Sequence, residues 1–349
     1  MVHEPNNWGR FGPEDQRGTL NLLTGPHVLA ALSHAVTGEV LSLGMPIRRG
    51  RPRLPGRPEP QHYMSIDGAD FAAGTRPVGA GLRMADDTLI VSPHGTTTHL
   101  DALCHMWSGD ELYNGHPAAQ VHSYGARRCG IEHVGGVVTR GVFFDVPAYL
   151  GLDHLPADFR ISATLLTEMA EHPGAGAGGA ELAGGPGGTE SHAAAGGAGE
   201  AAGPEGAVSG GVEAGPPTTR GAAVAVGPGD AVVIRTGWPQ VWDRSPDAYS
   251  RDGQPGLAAD AARWLTERDV AVVACDNAAI GGLNPQGLAD EPLEDDLHLI
   301  LLHRHGIHLA ELLWLEDLAA TGRTEFVFVL APLRLVGGTA SPINPLAIL

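Results

Sequence analysis

Asp230-Ala-Val-Val-Ile-Arg235 holds four apolar residues in a row, three of them β-branched, closed at each end by a charge. A run this short and this apolar reads as a strand buried on both faces. Gly141-Val-Phe-Phe-Asp-Val146, Val270-Ala-Val-Val-Ala-Cys275 and Glu325-Phe-Val-Phe-Val-Leu330 have the same character. Leu257 to Arg268 and Asp295 to His305 instead show helical spacing. Strands and helices mixed in this order predict an α/β single domain with a mixed β-sheet core flanked by helices.

The chain has 349 residues, and residues 174–217 are almost entirely Ala, Gly, Glu and Pro. Without large side chains or apolar periodicity, such a stretch cannot offset the entropy of ordering it. It is expected to be a disordered surface insertion, leaving 1–173 and 218–349 as one domain.

Composition excludes several chemistries. Forty acidic against 22 basic residues give a net charge of −18, which argues against nucleic acid as partner. The chain has no lysine, so a Walker lysine, a Schiff base and pyridoxal chemistry are ruled out. There is no Gly-x-Ser-x-Gly elbow. A Gly-x-Gly-x-x-Gly pattern at Gly174, Gly176 and Gly179 follows Glu171-His172-Pro173 rather than a strand, and counts as chance. The three cysteines, Cys104, Cys129 and Cys275, form no Cys-x-x-Cys pair, which fits a reducing compartment. With no secretory pattern at Met1 to Trp8 and no long apolar run, the expectation is a cytoplasmic protein that acts on a small molecule and has no membrane partner.

Ser92-Pro-His94-Gly95-Thr-Thr-Thr-His99-Leu-Asp101-Ala-Leu-Cys104-His105 concentrates three imidazoles and a carboxylate. On an extended chain His99 and Asp101 project from the same face. A helical turn after Asp101 would return His105 to the same place. Imidazole nitrogen and carboxylate oxygen are the usual ligands of zinc or manganese. Cys104 has two readings, a nucleophile beside His105 or a buried structural thiol flanked by Leu103 and Met106.

A second histidine-rich stretch runs from Asp295 to Leu313. Acids at Glu294 to Asp296 suit a helix N-terminus and Gly306 suits its C-terminal cap, giving a helix over about 295–305 and a strand from Ile307. Spacing alone leaves His298, His305 and His308 open as ligands.

His99-Leu-Asp101-Ala-Leu-Cys-His105 resembles the Thr-His-x-Asp-x-x-x-His signature of the metal-dependent cyclase-like hydrolases, the group that includes bacterial kynurenine formamidase and isatin hydrolase. Trp8 to Asp15 with Gly18-Thr-Leu-Asn21, Arg140 to Asp145, Gly229 to Trp238, and His298 to Leu318 match in the same order. The resemblance implies a swivelling β/β/α fold and a homo-oligomer. It also implies one or two divalent ions, Zn2+ or Mn2+, held by His99, Asp101, His298 and Glu311.

In the family's commonest pattern another ligand His stands four residues before the one matching His99. That position is Gly95 here, and His94 lies one residue further back. Either the turn carries an extra residue and His94 reaches the metal, or the site has fewer ligands.

The implied reaction is cleavage of a C–N amide bond in a small cyclic or N-formyl aromatic substrate, an arylformamidase-like step of tryptophan catabolism. Metal-activated water would attack the carbonyl. His105, matching the family's acid–base residue, would take a proton and return it to the departing nitrogen. Lactone hydrolysis, polyketide cyclisation or dehydration, and a non-catalytic metal-binding relative are the alternatives.

Trp8, Phe11, Trp107 and Trp238 recur near the matched motifs, where they either wall an aromatic pocket or belong to the core. Arg235 either clamps a substrate carboxylate or pairs with Asp230. Asp276 either orients a ligand histidine or caps the turn that follows it.

Overall fold

The four apolar runs become strands of one curled nine-stranded mixed sheet. In this computed structural model, residues 5–51, 53–74, 82–173, 223–289 and 291–349 are described. The 174–217 stretch lies outside them. Numbered in chain order, the sheet strands are β1 (Val40–Ser42), β2 (His99–Asp101), β3 (Val137–Asp145), β4 (Ala231–Arg235), β5 (Val272–Cys275), β6 (His308–Glu311), β7 (Glu325–Leu330), β8 (Ala340–Pro342) and β9 (Leu346–Ile348).

Their order across the sheet is β1-β9-β7-β3-β4-β5-β6-β2-β8. The β3–β4, β4–β5 and β5–β6 pairs are parallel, and the flanking pairs are antiparallel. Every residue of β4, β5 and β6 is buried, which is why β4 and β5 read as apolar runs rather than alternating ones, while β6 carries His308 and Glu311 at its ends.

Parallel neighbours need a crossover, and the β4-to-β5 connection carries the helix α1 (Ala259–Thr266). Its buried side, Ala261, Ala262, Trp264 and Leu265, packs into the main core. At roughly 1.5–3 kcal/mol for a large apolar side chain, this face and not helix propensity holds so short a helix.

The segment 295–305 departs from a regular helix. Leu293–Asp295 forms a single 3₁₀ turn, and Leu299–Arg304 winds as a wide π helix, α2. Gly306, at φ +66, ends it as expected of a glycine in the left-handed region, and β6 follows. After Asp101 there is no helix either. A tight turn from Ala102 C=O to His105 N–H, 2.9 Å, brings His105 back, while Cys104 N–H bonds instead to Cys129. No helix among the described residues is long and apolar enough to cross a membrane.

Candidate metal centre

The site forms where β2 lies between β6 and β8. Register pairs His99 with Glu311 and Leu100 with Ala310 across β6, and Asp101 with Ala340 across β8. Directly opposed residues on antiparallel strands point the same way, so His99, Asp101 and Glu311 share a face. Leu100 turns to the opposite face, fully buried in the core.

Glu311 is followed by Leu312 at φ +56, a non-glycine residue in the left-handed region whose carbonyl accepts from the Thr98 hydroxyl. This bend ends β6 beside the acid.

Six side chains converge. His94 Nδ1 lies 3.1 Å from Asp101 Oδ1, and His99 Nε2 lies 3.4 Å from both Asp101 Oδ1 and Glu311 Oε2. His298 Nε2 is 3.4 Å from Glu311 Oε1 and 3.8 Å from Asp101 Oδ2. The His105 ring stacks on His94 at 3.7 Å and stands 5.9 Å from the His298 ring. Two trios, His94/His99/Asp101 and Asp101/His105/His298, each hold ligand atoms within 4.8 Å of one another.

Gly95 explains how His94 enters. It sits at φ +67, and a Cβ there would lie 2.8 Å from Leu54 Cδ1, so the position expected to hold a histidine is filled by Leu54. The left-handed bend turns the preceding residue inward, and His94 Nε2 bonds the Thr339 hydroxyl at 3.1 Å, leaving Nδ1 toward Asp101.

The donor chemistry fits a divalent cation. His94 Nδ1, His99 Nε2, both Asp101 oxygens and Glu311 Oε1 are buried without hydrogen-bond partners and point into the same space. Burying that many unsatisfied polar atoms is costly unless a cation completes them. His99 donates Nδ1–H to the Thr97 carbonyl at 2.8 Å, which fixes the tautomer that leaves Nε2 free. Burial raises Glu311, and the charge on Asp101 raises it further. Asp101 is held well below the usual carboxylate range because the surrounding imidazoles outweigh its burial.

A cavity of about 180 Å³ opens onto this cluster, with His94, His105, His298 and Glu311 at its floor. Leu54, Met106, Ala278, Leu283, Leu288 and Leu297 supply aliphatic walls.

The residues expected to bind substrate lie elsewhere. Trp8 donates its indole N–H to the His303 carbonyl, and Trp238 packs with Val241 and Tyr249. Phe11 lies under the Arg10 guanidinium. Neither these nor Trp107 line the cavity among the described residues. An aromatic wall is therefore corrected to an aliphatic one.

Arg235 fits neither reading. It is buried and bound to Glu316 at 2.7 and 3.0 Å and to Asp145 at 2.7 Å, while Asp230 is taken by Arg140. Asp276 orients no histidine. It accepts from Thr236 N–H and Oγ1–H and from Gly237 N–H, capping the turn after the neighbouring β4. Cys104 is buried, which pushes its thiol up to about 12, as befits a structural residue.

His308, open as a ligand on spacing alone, lies behind the cluster with its Nδ1 2.8 Å from the Asp101 carbonyl. The supporting groups that sequence reasoning missed are this carbonyl contact, the Thr97 carbonyl and the Thr339 hydroxyl. Only the Thr96-Thr97-Thr98 run beside the motif hinted at them.

Residues 216–281 match the model of the Cyclase family. No curated protein matches the sequence. A crystal structure described as a novel cyclase is 29% identical, with a TM-score of 0.77, over 99% of this chain and 100% of its own. Isatin hydrolase A from Labrenzia aggregata, bound to benzyl benzoate, shares the fold at 17% identity and a TM-score of 0.54, over 88% of this chain and 93% of its own. An isatin hydrolase bound to the product analogue thioisatinate does so at 17% and 0.55, over 93% and 98%. By the matched segment and the 29% identity along the chain to that cyclase structure, this protein resembles the cyclase family in sequence and fold.

Proposed function

We propose that this chain is a metal-dependent hydrolase that opens a carbon–nitrogen bond in a small acyl compound, a cyclic amide or an N-formyl amine. One observation carries the reading: buried, unsatisfied ligand atoms from remote parts of the chain face one another at the floor of a small cavity. The isatin hydrolases that share the fold support hydrolysis as the reaction class.

His99, Asp101, His298 and Glu311, with His94, are the residues that would hold the cation, Zn2+ or Mn2+, one or two per chain. Two carboxylates against neutral imidazoles match the charge of one divalent ion. When bound, such an ion supplies Lewis acidity, polarising a carbonyl and acidifying water.

His105 supplies the proton chemistry. Burial, aided by the imidazoles of His94, His298 and His99 and opposed by Asp101, lowers it, so its ring is neutral at neutral pH, and its place at the cavity is where a proton would be taken up and returned to a departing nitrogen. The cavity walls combine aliphatic side chains with Arg57, Glu291 and Asp296. A cavity of about 180 Å³ favours a compact acyl compound, with lactones as the second substrate class.

The test is metal content of protein purified without chelator, followed by turnover of N-formyl anilines, lactams and lactones. Protein that binds no divalent ion at stoichiometric level, or turns over none of these when loaded, refutes the reading.

A further inference from the structure

Arg57 reaches the cavity from a turn built to hold it. Leu54-Pro55-Gly56-Arg57 has proline then glycine at its centre, Gly56 stands at φ +77, and the Arg57 N–H bonds the Leu54 carbonyl at 3.2 Å. That is the pattern of a type II β-turn, in which proline presets the first central residue and glycine accepts the left-handed second. The turn is fastened to the loop that carries His94. Leu54 N–H bonds the Gly95 carbonyl at 2.9 Å, and the Leu54 side chain lies against Gly95. On the other side, Pro55 Cδ lies 3.1 Å from where a Cβ on Gly287 would stand. Leu54, Arg57 and Gly287 all line the cavity, so the turn sets an apolar side chain and a guanidinium beside the cluster together.

Outside the ligand cluster, the charged side chains that line the cavity are Arg57, Glu291 and Asp296. Both acids are engaged. Glu291 Oε1 lies 3.6 Å from Arg160 Nε, and Asp296 Oδ1 accepts the Leu299 N–H at 3.0 Å at the start of α2. Arg57 is exposed, and its guanidinium has no ion pair or hydrogen bond among the described residues. A guanidinium presents its donors as a planar fork that matches the two oxygens of a carboxylate. Standing beside Leu54 and Leu288, it ranks an anionic ligand above a neutral one of the same shape.

We propose that Arg57 is a specificity-determining residue that holds a carboxylate of the substrate remote from the bond that is cleaved, so that the compounds opened here are compact acyl compounds carrying an acid. The inference rests on the hydrolase reading above for its reaction, though not for the anion site itself. It moves the carboxylate clamp from Arg235, which is bound to Asp145 and Glu316, to an arginine that faces the cavity. Because the guanidinium is exposed, the attraction is modest and sensitive to salt, about three- to tenfold in affinity.

Paired substrates that differ only in charge test it on the full-length, metal-loaded protein: N-formyl-β-alanine against N-formyl-β-alaninamide, and 3-formamidobenzoate against 3-formamidobenzamide. Each acid should lead its amide in kcat/KM by about three- to tenfold, through KM rather than kcat. In Arg57→Ala the lead should vanish, in Arg57→Glu it should reverse, and in Arg57→Lys it should persist in part. A wall residue with no anion to hold would change both members of a pair alike. Calorimetric titration of glutarate against its monoamide reads the same charge without turnover, the second carboxylate tightening binding to the parent and not to Arg57→Ala. Equal kcat/KM within the pairs for the parent, or a lead that Arg57→Ala leaves as it was, overturns the proposal. Protein that turns over no member of either pair refutes the hydrolase reading instead, and the titration then decides the anion site. Loss of glutarate's advantage in Arg57→Ala supports the site, whereas an unchanged advantage, or none in the parent, sinks it.

Discussion

His105 lies face to face with His94, ring centroids 3.7 Å apart and planes 13° from parallel. The stack covers one side of the His105 ring and leaves it lining the cavity. The stack helps to set its place beside the cluster. His105→Ala is expected to keep its metal and lose about 10²–10⁴ in turnover. Asp101→Ala, which removes both central oxygens, should lose metal and turnover together. Elemental analysis beside steady-state kinetics separates the two, and loss of metal from the His105 variant would contradict the assignment.

Gly95 offers a second check. Gly95→Ala forces a Cβ against Leu54 in a left-handed conformation, at a cost of about 1–3 kcal/mol. Adding Leu54→Ala relieves the clash but not the backbone strain, so part of the loss should return. Thermal melts of the single and double variants measure this. Equal melting of Gly95→Ala and parent would mean the turn is not as described.

The metal-free cluster should titrate. Burial pulls His298 down, but Glu311 at 3.4 Å, reinforced by Asp101, more than reverses this and holds it at about 9 against an ordinary 6.5. A folded value above the unfolded one means the native chain holds that proton more tightly. The stabilisation is whole below about 6.5 and is lost as pH rises through about 9. A bound cation takes the proton's place. The melting temperature of chelator-treated protein should therefore fall between pH 6.5 and 9, and the metal-loaded form should not follow it. A flat metal-free profile would refute the cause.

Arg235 sits in a buried network with Asp145 and Glu316, away from the cavity. Arg235→Ala strands two acids and should cost about 3–5 kcal/mol of stability. At a temperature where the variant remains folded, KM should be unchanged. A raised KM with stability intact would restore a substrate-binding role.

The apolar runs made the sheet legible. Glu325–Leu330 is a strand over its whole predicted length, and the other three runs are strands to within a few residues. The edge strands β1 and β8 and the neighbouring β9, three residues each, carry too little pattern to be read. His99 and Asp101 were legible because His-x-Asp needs only period-two geometry, whereas Glu311 and the choice of His298 over His305 and His308 came from the resemblance. The substrate-facing guesses failed for a physical reason. Trp8 and Arg235 are large groups with polar tips that find partners in the fold instead, and Trp238 is packed against Val241 and Tyr249. Spacing also suggested a helix after Asp101, but Cys104 N–H is claimed by Cys129 across the chain. Tertiary bonding of that kind leaves no trace in local sequence.

Leu100 is sealed in the core between two residues that face the ligand cluster. Sliding β2 by a single position would swap all three, plunging imidazole and carboxylate into grease and lifting leucine into the cavity. No intermediate alignment is tolerable, so His99 and Asp101 behave as one inflexible jaw. Whatever adaptation a new substrate demands must come from the opposite wall, where Leu54, Leu283 and Leu288 can be exchanged without touching the jaw.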